Sequence, residues 1–90
     1  MIFEWDETKR DANIAKHKID FELAKEVFID VNRVEFVDNR INYGEECRIN
    51  IGSTKDGVLI LTVVCVDRLG AIRIVSARCA NRKEKELYYG

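Results

Sequence analysis

The chain has no proline, only five glycines and one histidine, His17, among its 90 residues. There is accordingly no Pro- or Gly-rich linker, and no repeat or low-complexity segment is visible. The longest apolar run, VLILTVVCV at 58–66, has nine residues, less than half of the ~20 that a membrane span needs. The N-terminal stretch MIFEWDETKR places Glu4, Asp6 and Glu7 early, with no apolar run after them. That pattern argues against a secretory signal, and the chain reads as cytoplasmic. Cys47, Cys65 and Cys79 are far apart and odd in number, with no C-x-x-C pair. They suit buried or half-buried free thiols better than a zinc site or a disulfide framework. Acids are numerous but scattered and no second histidine exists, so no metal constellation is expected, and no cofactor. Gly52 and Gly57 flank a turn and form no phosphate-cradling loop.

The 90 residues suit one domain, 1–90, with one modest core and a shallow surface site or partner interface rather than a deep pocket. The formal charge of −1 hides an asymmetry. Residues 1–46 carry 12 acids and 7 bases, and residues 47–90 carry 4 acids and 8 bases. The halves therefore stand at −5 and +4. Such a split suits either a nucleic-acid face on the basic half or two solvated faces of opposite sign. Within the basic half, RIVSARCANRKE (73–84) gathers Arg73, Arg78, Arg82 and Lys83.

The patterning predicts an α+β fold. FEW (3–5) suits a small strand or an N-terminal anchor. Asp6 is a candidate N-cap for a helix over 6–18 with Ala12, Ala15 and Ile19 as its apolar side. Asp20 suits a second N-cap. Phe21, Ala24, Val27 and Phe28 form one helical face, and the helix is expected to end near 30–32 with Asn32 available for a left-handed turn. Period-two alternation follows in RVEFVD (33–38), then NRINYG (39–44) as a turn. In ECRINIG (46–52), Cys47, Ile49 and Ile51 face one way and Arg48 and Asn50 the other. STKDG (53–57) carries a hairpin signal. VLILTVVCV is apolar on both faces and is expected at the centre of the sheet. In AIRIVSA (71–77), Ile72, Ile74 and Ser76 share a face opposite Arg73 and Val75. Asn81 and Glu84 form a capping-box pair for a short last helix to about Tyr88. Two N-terminal helices thus pack on one face of a four-strand antiparallel sheet, leaving Arg48, Asn50 and Arg73 on the open face.

The combination of FEWD (3–6), Lys9, Asn13 with Lys16 and His17, Phe21, Ala24, Phe28, Asp30, Gly44-Glu45, Gly52 and R-I-V-S-A-R-x-A-x-x-x-E (73–84) resembles the BrnT-type toxins of bacterial type II toxin–antitoxin pairs. The resemblance covers nearly the whole chain. It implies a RelE-like fold, endoribonuclease activity on RNA, and a small BrnA-like antitoxin partner, with DNA reached only through that antitoxin. Two positions depart from the pattern. Lys18 stands where the family often has glycine, and Cys47 stands where it usually has arginine, with Arg48 one place later. One place along a strand is the opposite face.

Metal-independent RNA cleavage needs a proton removed from the 2′-hydroxyl, charge stabilised on phosphorus, and a proton delivered to the 5′-oxygen. Arginine suits the middle role because its planar fork matches phosphate oxygens. Arg73 and Arg78 are the candidates, with Arg48 as a third cation and Arg82 and Lys83 as further RNA contacts. Arg73 also suits an exposed strand position, and Arg78 a pair with Glu84. His17 is a candidate acid or base, though a helix C-terminus also favours a cation there for structural reasons. Glu45 is the alternative base. Trp5 suits either base stacking or the core. A non-catalytic module binding protein or nucleic acid on the same fold is the competing reading.

Overall fold

The computed structural model describes residues 1–38 and 46–90. The expected turn at 39–44 and Glu45 lie outside the described residues. The elements run β1 (Phe3–Glu4), α1 (Glu7–His17), α2 (Phe21–Ala24), a 3-10 stretch (Lys25–Ile29), β2 (Val34–Asp38), β3 (Cys47–Ser53), β4 (Ile60–Arg68), β5 (Ala71–Cys79) and α3 (Arg82–Tyr89). Among the described residues no helix is long and apolar enough to cross a membrane.

Helix α1 starts where Asp6 Oδ1 accepts from the Thr8 and Lys9 N–H groups, satisfying donors that the first turn leaves open. It stops at Lys18, whose φ of 62° is left-handed. A glycine would sit there without Cβ strain. The elbow to α2 is set by Asp20. Its carboxylate caps α2 by accepting from the Glu22 N–H at 3.0 Å, and it holds the Arg10 fork at 2.8 Å on each oxygen. The Arg10 hydrogen bond and then the Glu22 N–H keep its pKa down at about 2.

The expected apolar stripe of α1 holds only at Ile19, which is buried. Ala12 and Ala15 are exposed, and the helix turns Asn13 inward, buried, with half-buried Ile14 and His17 beside it. Asn13 lies where the outer edge of β5 would otherwise be bare. Its Nδ2 donates to the carbonyls of Ile19 and Ala77, both at 2.8 Å, and its Oδ1 accepts from the Ala77 N–H at 3.1 Å. The second helix is also shorter than expected. It tightens to 3-10 geometry after Ala24 and ends at Asp30 in an extended conformation, so Asn32 takes no left-handed turn.

The sheet has five strands in the order β1-β5-β4-β3-β2. β4 is central, as its apolar run suggested. The sheet is mixed rather than four-stranded antiparallel, because β1 adds to β5 in parallel, pairing Phe3 with Ile72 and Glu4 with Arg73. α2 and the 3-10 stretch cover one face. Phe21, Ala24, Val27 and Phe28 meet Leu61, Val63, Cys65, Ile74 and Ala77 there. Trp5 belongs to this core, edge-on to Phe21 at 5.9 Å. Gly52 allows the 3-10 stretch to come close: an added Cβ would stand 2.8 Å from Val27 Cγ1.

Register corrects the expected open face. Arg48, Asn50 and Gly52 pair with Cys65, Val63 and Leu61, all residues of the covered core. Asn50 is fully buried, accepting from Arg33 Nε and donating to Cys65 Sγ. Arg48 lies on the same side, between Glu35 at 3.4 Å and Asp67 at 3.1 Å. β3 pairs without interruption on both edges, so nothing rotates Arg48 to the other face, and Cys47 occupies the open-side position. Of the thiols, Cys47 and Cys65 are buried, but Cys79 is exposed. Burial pushes Cys65 up to about 11, which keeps it a neutral core thiol.

Two outcomes test these anchors. Asn13→Ala leaves three buried backbone groups without their partner and lowers unfolding free energy by about 3 kcal/mol, measured by urea titration. Lys18→Gly relieves left-handed strain, partly offset by the freer unfolded chain, and raises stability by about 0.5–1 kcal/mol, read as a Tm increase of roughly 4 °C.

Candidate functional site

The open face begins with a bulge in β5. Ser76 pairs with Val64 but Ile74 pairs with Cys65, so Val75 is an extra residue. Arg73 and Arg78 are five positions apart, an odd spacing that would point them to opposite faces of a regular strand. The bulge cancels the difference. Arg78 lies opposite Thr62 and Arg73 opposite Val66, and Thr62, Val64 and Val66 alternate onto one face. Ser76, expected beside Ile72 and Ile74, joins the two arginines instead. The structure thus brings Arg73 and Arg78 to one face, but four β4 residues apart, roughly 13 Å along the strand. That is too far for both to hold one phosphate.

Helix α3 covers part of this face. Tyr88 and Ala80 pack with Ile49, Ile51 and Ile60 in a second cluster. The Tyr88 hydroxyl donates to Asp30 Oδ2 at 2.5 Å, a contact that with burial raises the phenol to about 12. Burial alone would raise Asp30, but Tyr88 and the N–H groups of Ser53 and Asn32 outweigh it and hold its pKa low.

Between α3 and β2 lies a cleft of about 520 Å³. Its floor is Ile49, Thr62 and Val64. One wall is Phe36 and Asp38 of β2, and the other is Arg78, Asn81, Lys83 and Glu84. The second wall is built by one carboxylate used twice. Glu84 takes the Arg78 fork at 2.7 and 2.8 Å and also accepts from the Asn81 N–H at 2.9 Å, while Asn81 Oδ1 accepts from the Glu84 N–H. The capping box read from the sequence therefore also fixes the guanidinium at the end of β5. The Arg78 hydrogen bond and then the Asn81 N–H, against a burial effect of opposite sign, bring the Glu84 pKa down to about 2. Thr62 stands beside this carboxylate and adds to the effect, although its buried hydroxyl makes no hydrogen bond of ordinary geometry among the described residues.

Of the residues expected to act, Arg78 and Lys83 line the cleft together. Arg73 is further along the same face, 3.9 Å from Glu4. Arg82 points to solvent and pairs with Glu86 one turn on at 3.5 Å. His17 does not line the cleft, Arg48 is on the opposite face, and Glu45 is outside the described residues. Phe36, Asp38 and Thr62 were missed. Phe36 and Thr62 are ordinary strand residues in sequence, and only register brings them to this face.

Because Glu84 is held ionised, its contribution to stability is complete above the ordinary carboxyl value of 4.5 and disappears as pH falls toward about 2. Glu84→Gln is expected to be less stable than the parent at neutral pH, with the difference shrinking across that window. Urea midpoints taken at several pH values measure it, and a gap independent of pH would contradict the clamp.

No curated protein matches the chain closely enough to count as a relative. Residues 5–84 match the family described as ribonuclease toxin, BrnT, of type II toxin-antitoxin system. That stretch holds the strand bulge, both arginines, Asn13 and the Glu84 clamp, and the chain belongs to this family of ribonuclease toxins.

Proposed function

We propose that this chain cleaves RNA by metal-independent transesterification in the cleft beside α3, and that a BrnA-like antitoxin silences it. The observation that carries this reading is the Arg78 guanidinium, fixed by Glu84 on the wall of a cleft next to Lys83. A guanidinium keeps its charge at any working pH and is the side chain whose N–H groups best match phosphate oxygens. Oriented in advance, it can stabilise negative charge as it grows on phosphorus. The 2′-oxygen attacks phosphorus, the bond to the 5′-oxygen breaks, and the products are a 2′,3′-cyclic phosphate and a 5′-hydroxyl. The proton lost by the 2′-hydroxyl is matched by one gained at the 5′-oxygen. Glu84 is a positioning residue and, with its pKa near 2, a poor base. Arg78 and Lys83 supply the positive charge on this wall.

The same wall suits an inhibitor. An acidic antitoxin segment lying along Arg78, Lys83 and Arg73 would cover the phosphate positions. Arg48, on the opposite face, takes no part in it. Complementary charge of this kind makes association salt-dependent.

Purified protein tests the reaction on single-stranded RNA. Cleavage should survive EDTA and stop when the 2′-hydroxyl at the cut site is replaced by hydrogen. Arg78→Ala should slow it by roughly two to three decades, and His17→Ala by much less. A requirement for added magnesium, or cutting of the deoxy-substituted site, overturns the mechanism. RNA binding with no cleavage supports the non-catalytic module instead.

A further inference from the structure

We infer that Thr62 is a positioning residue of this cleft: its hydroxyl closes onto Glu84 when a phosphate of bound RNA competes for the Arg78 fork, and so keeps the carboxylate anchored while Arg78 is shared between two anions. The inference rests on the ribonuclease reading of the cleft and adds a residue to it.

Arg78 is fully engaged in the free protein. Its fork lies on Glu84 at 2.7 and 2.8 Å, and Nη1 also donates to the Cys79 carbonyl at 3.4 Å. A phosphate reaching this wall therefore meets a guanidinium already neutralised by an ionised carboxylate, and competes with it for the same N–H groups. Glu84 is the more buried of the pair, its side chain 14% exposed against 39% for Arg78. Water has little access to replace a donor that Glu84 gives up, and a partly buried anion short of a hydrogen bond is unfavourable. A second donor beside Glu84 is what lets the phosphate gain from Arg78.

The acceptor sites of Glu84 show where such a donor fits. Each carboxylate oxygen has about two lone-pair sites. Oε1 uses both, for Arg78 Nη1 and the Asn81 N–H, whereas Oε2 accepts from Arg78 Nη2 alone among the described residues. One site on Oε2 is open, and Oε2 is the oxygen left bare if a phosphate takes Nη2.

Thr62 matches that vacancy. It pairs with Arg78 across the sheet, lies on the cleft floor and stands beside the Glu84 carboxylate. The residue is 1% exposed, and its Oγ1 has no hydrogen-bond partner among the described residues. It is also the one oxygen-bearing side chain in VLILTVVCV. Valine would fill the same space without burying a polar group, so the unpaired hydroxyl costs stability. That cost falls at the position next to the clamp. A hydroxyl hydrogen rotates to suit its partner, and a small shift of the neighbouring carboxylate completes the bond.

The test uses short labelled RNA in which every 2′-hydroxyl is methylated, so that fluorescence anisotropy reads binding without cutting. Thr62→Val removes the hydroxyl and keeps the shape. It should leave the urea midpoint of the free protein equal or higher and weaken RNA binding about tenfold, the share of one hydrogen bond to a charged group. Thr62→Ser should bind as the wild type does. In a Glu84→Gln background, Thr62→Val should change affinity no further, because the hydroxyl acts through that carboxylate. A lower midpoint in Thr62→Val with unchanged binding makes the hydroxyl purely structural and overturns the inference. So do a Thr62→Ser variant as weak as Thr62→Val and additive losses in the double variant. The expected binding pattern in a protein that leaves unmodified RNA intact keeps the role of Thr62 and overturns the cleavage reading. Normal cutting by the wild type with unaltered binding by Thr62→Val does the reverse, and a wild type that binds no RNA overturns both.

Discussion

The amide of Asn13 is the contact on which the arrangement depends. It offers one acceptor and two donor hydrogens, the complement of a peptide group, and sets them against the N–H and carbonyl of Ala77 and the carbonyl of Ile19. In effect it is one more residue of a sixth strand, supplied by a helix. β1 is only two residues long and pairs with β5 at Ile72 and Arg73. Beyond it, the backbone at Ala77 would face a buried edge with no partner, an arrangement that folded proteins avoid. The same amide ties the end of the α1–α2 elbow to β5, so that α2 and the 3-10 stretch are delivered over the sheet. It also fixes the residue immediately before Arg78.

From that anchor the chemistry is a matter of counting along β5. The extra residue at Val75 shifts the alternation and turns Arg73 to the face that Arg78 occupies. Glu84 then connects the strand to the following helix. It closes the capping box and grips the guanidinium with the same carboxylate. A single side chain determines both where α3 starts and which way Arg78 points. Burying this pair unpaired would be unfavourable, and the bidentate geometry together with the Asn81 N–H is what makes the partly buried carboxylate stable as an anion.

Much of the fold was legible because its signals are local. Asp6, Asp20 and Asn81 cap helices as their side-chain chemistry suggests, the Phe21–Phe28 face is buried, and the apolar run lies in the central strand. The errors came from effects that a local pattern does not carry. Asn13 reads as a solvated helix residue because its partner is 64 positions away. β1 is too short for any periodicity. Arg48 reads as solvent-facing because it is a charged side chain between Cys47 and Ile49. Here the second face of the sheet is also apolar, under α3, and the Arg48 side is where Glu35 and Asp67 neutralise it. The bulge reverses a face assignment in the middle of β5, and nothing in RIVSAR announces it. The candidate cleft was legible only as residue types: Arg78 and Lys83 do line it together, but its geometry depends on register and the bulge.

Helix α3 contributes no buried residue of its own. It is held at its two ends, by Glu84 on Arg78 and by Tyr88 on Asp30, with the half-buried Tyr88 ring as its main apolar contact. Segments with so little buried area open at a free energy well below that of global unfolding. The wall that carries Lys83 and Glu84 is therefore the part of the cleft that can detach while the floor, anchored through Asn13, stays intact. When it does, Arg78 loses the carboxylate that orients it. The cleft thus has one wall that belongs to the sheet and one whose order depends on two polar contacts at the ends of a short helix.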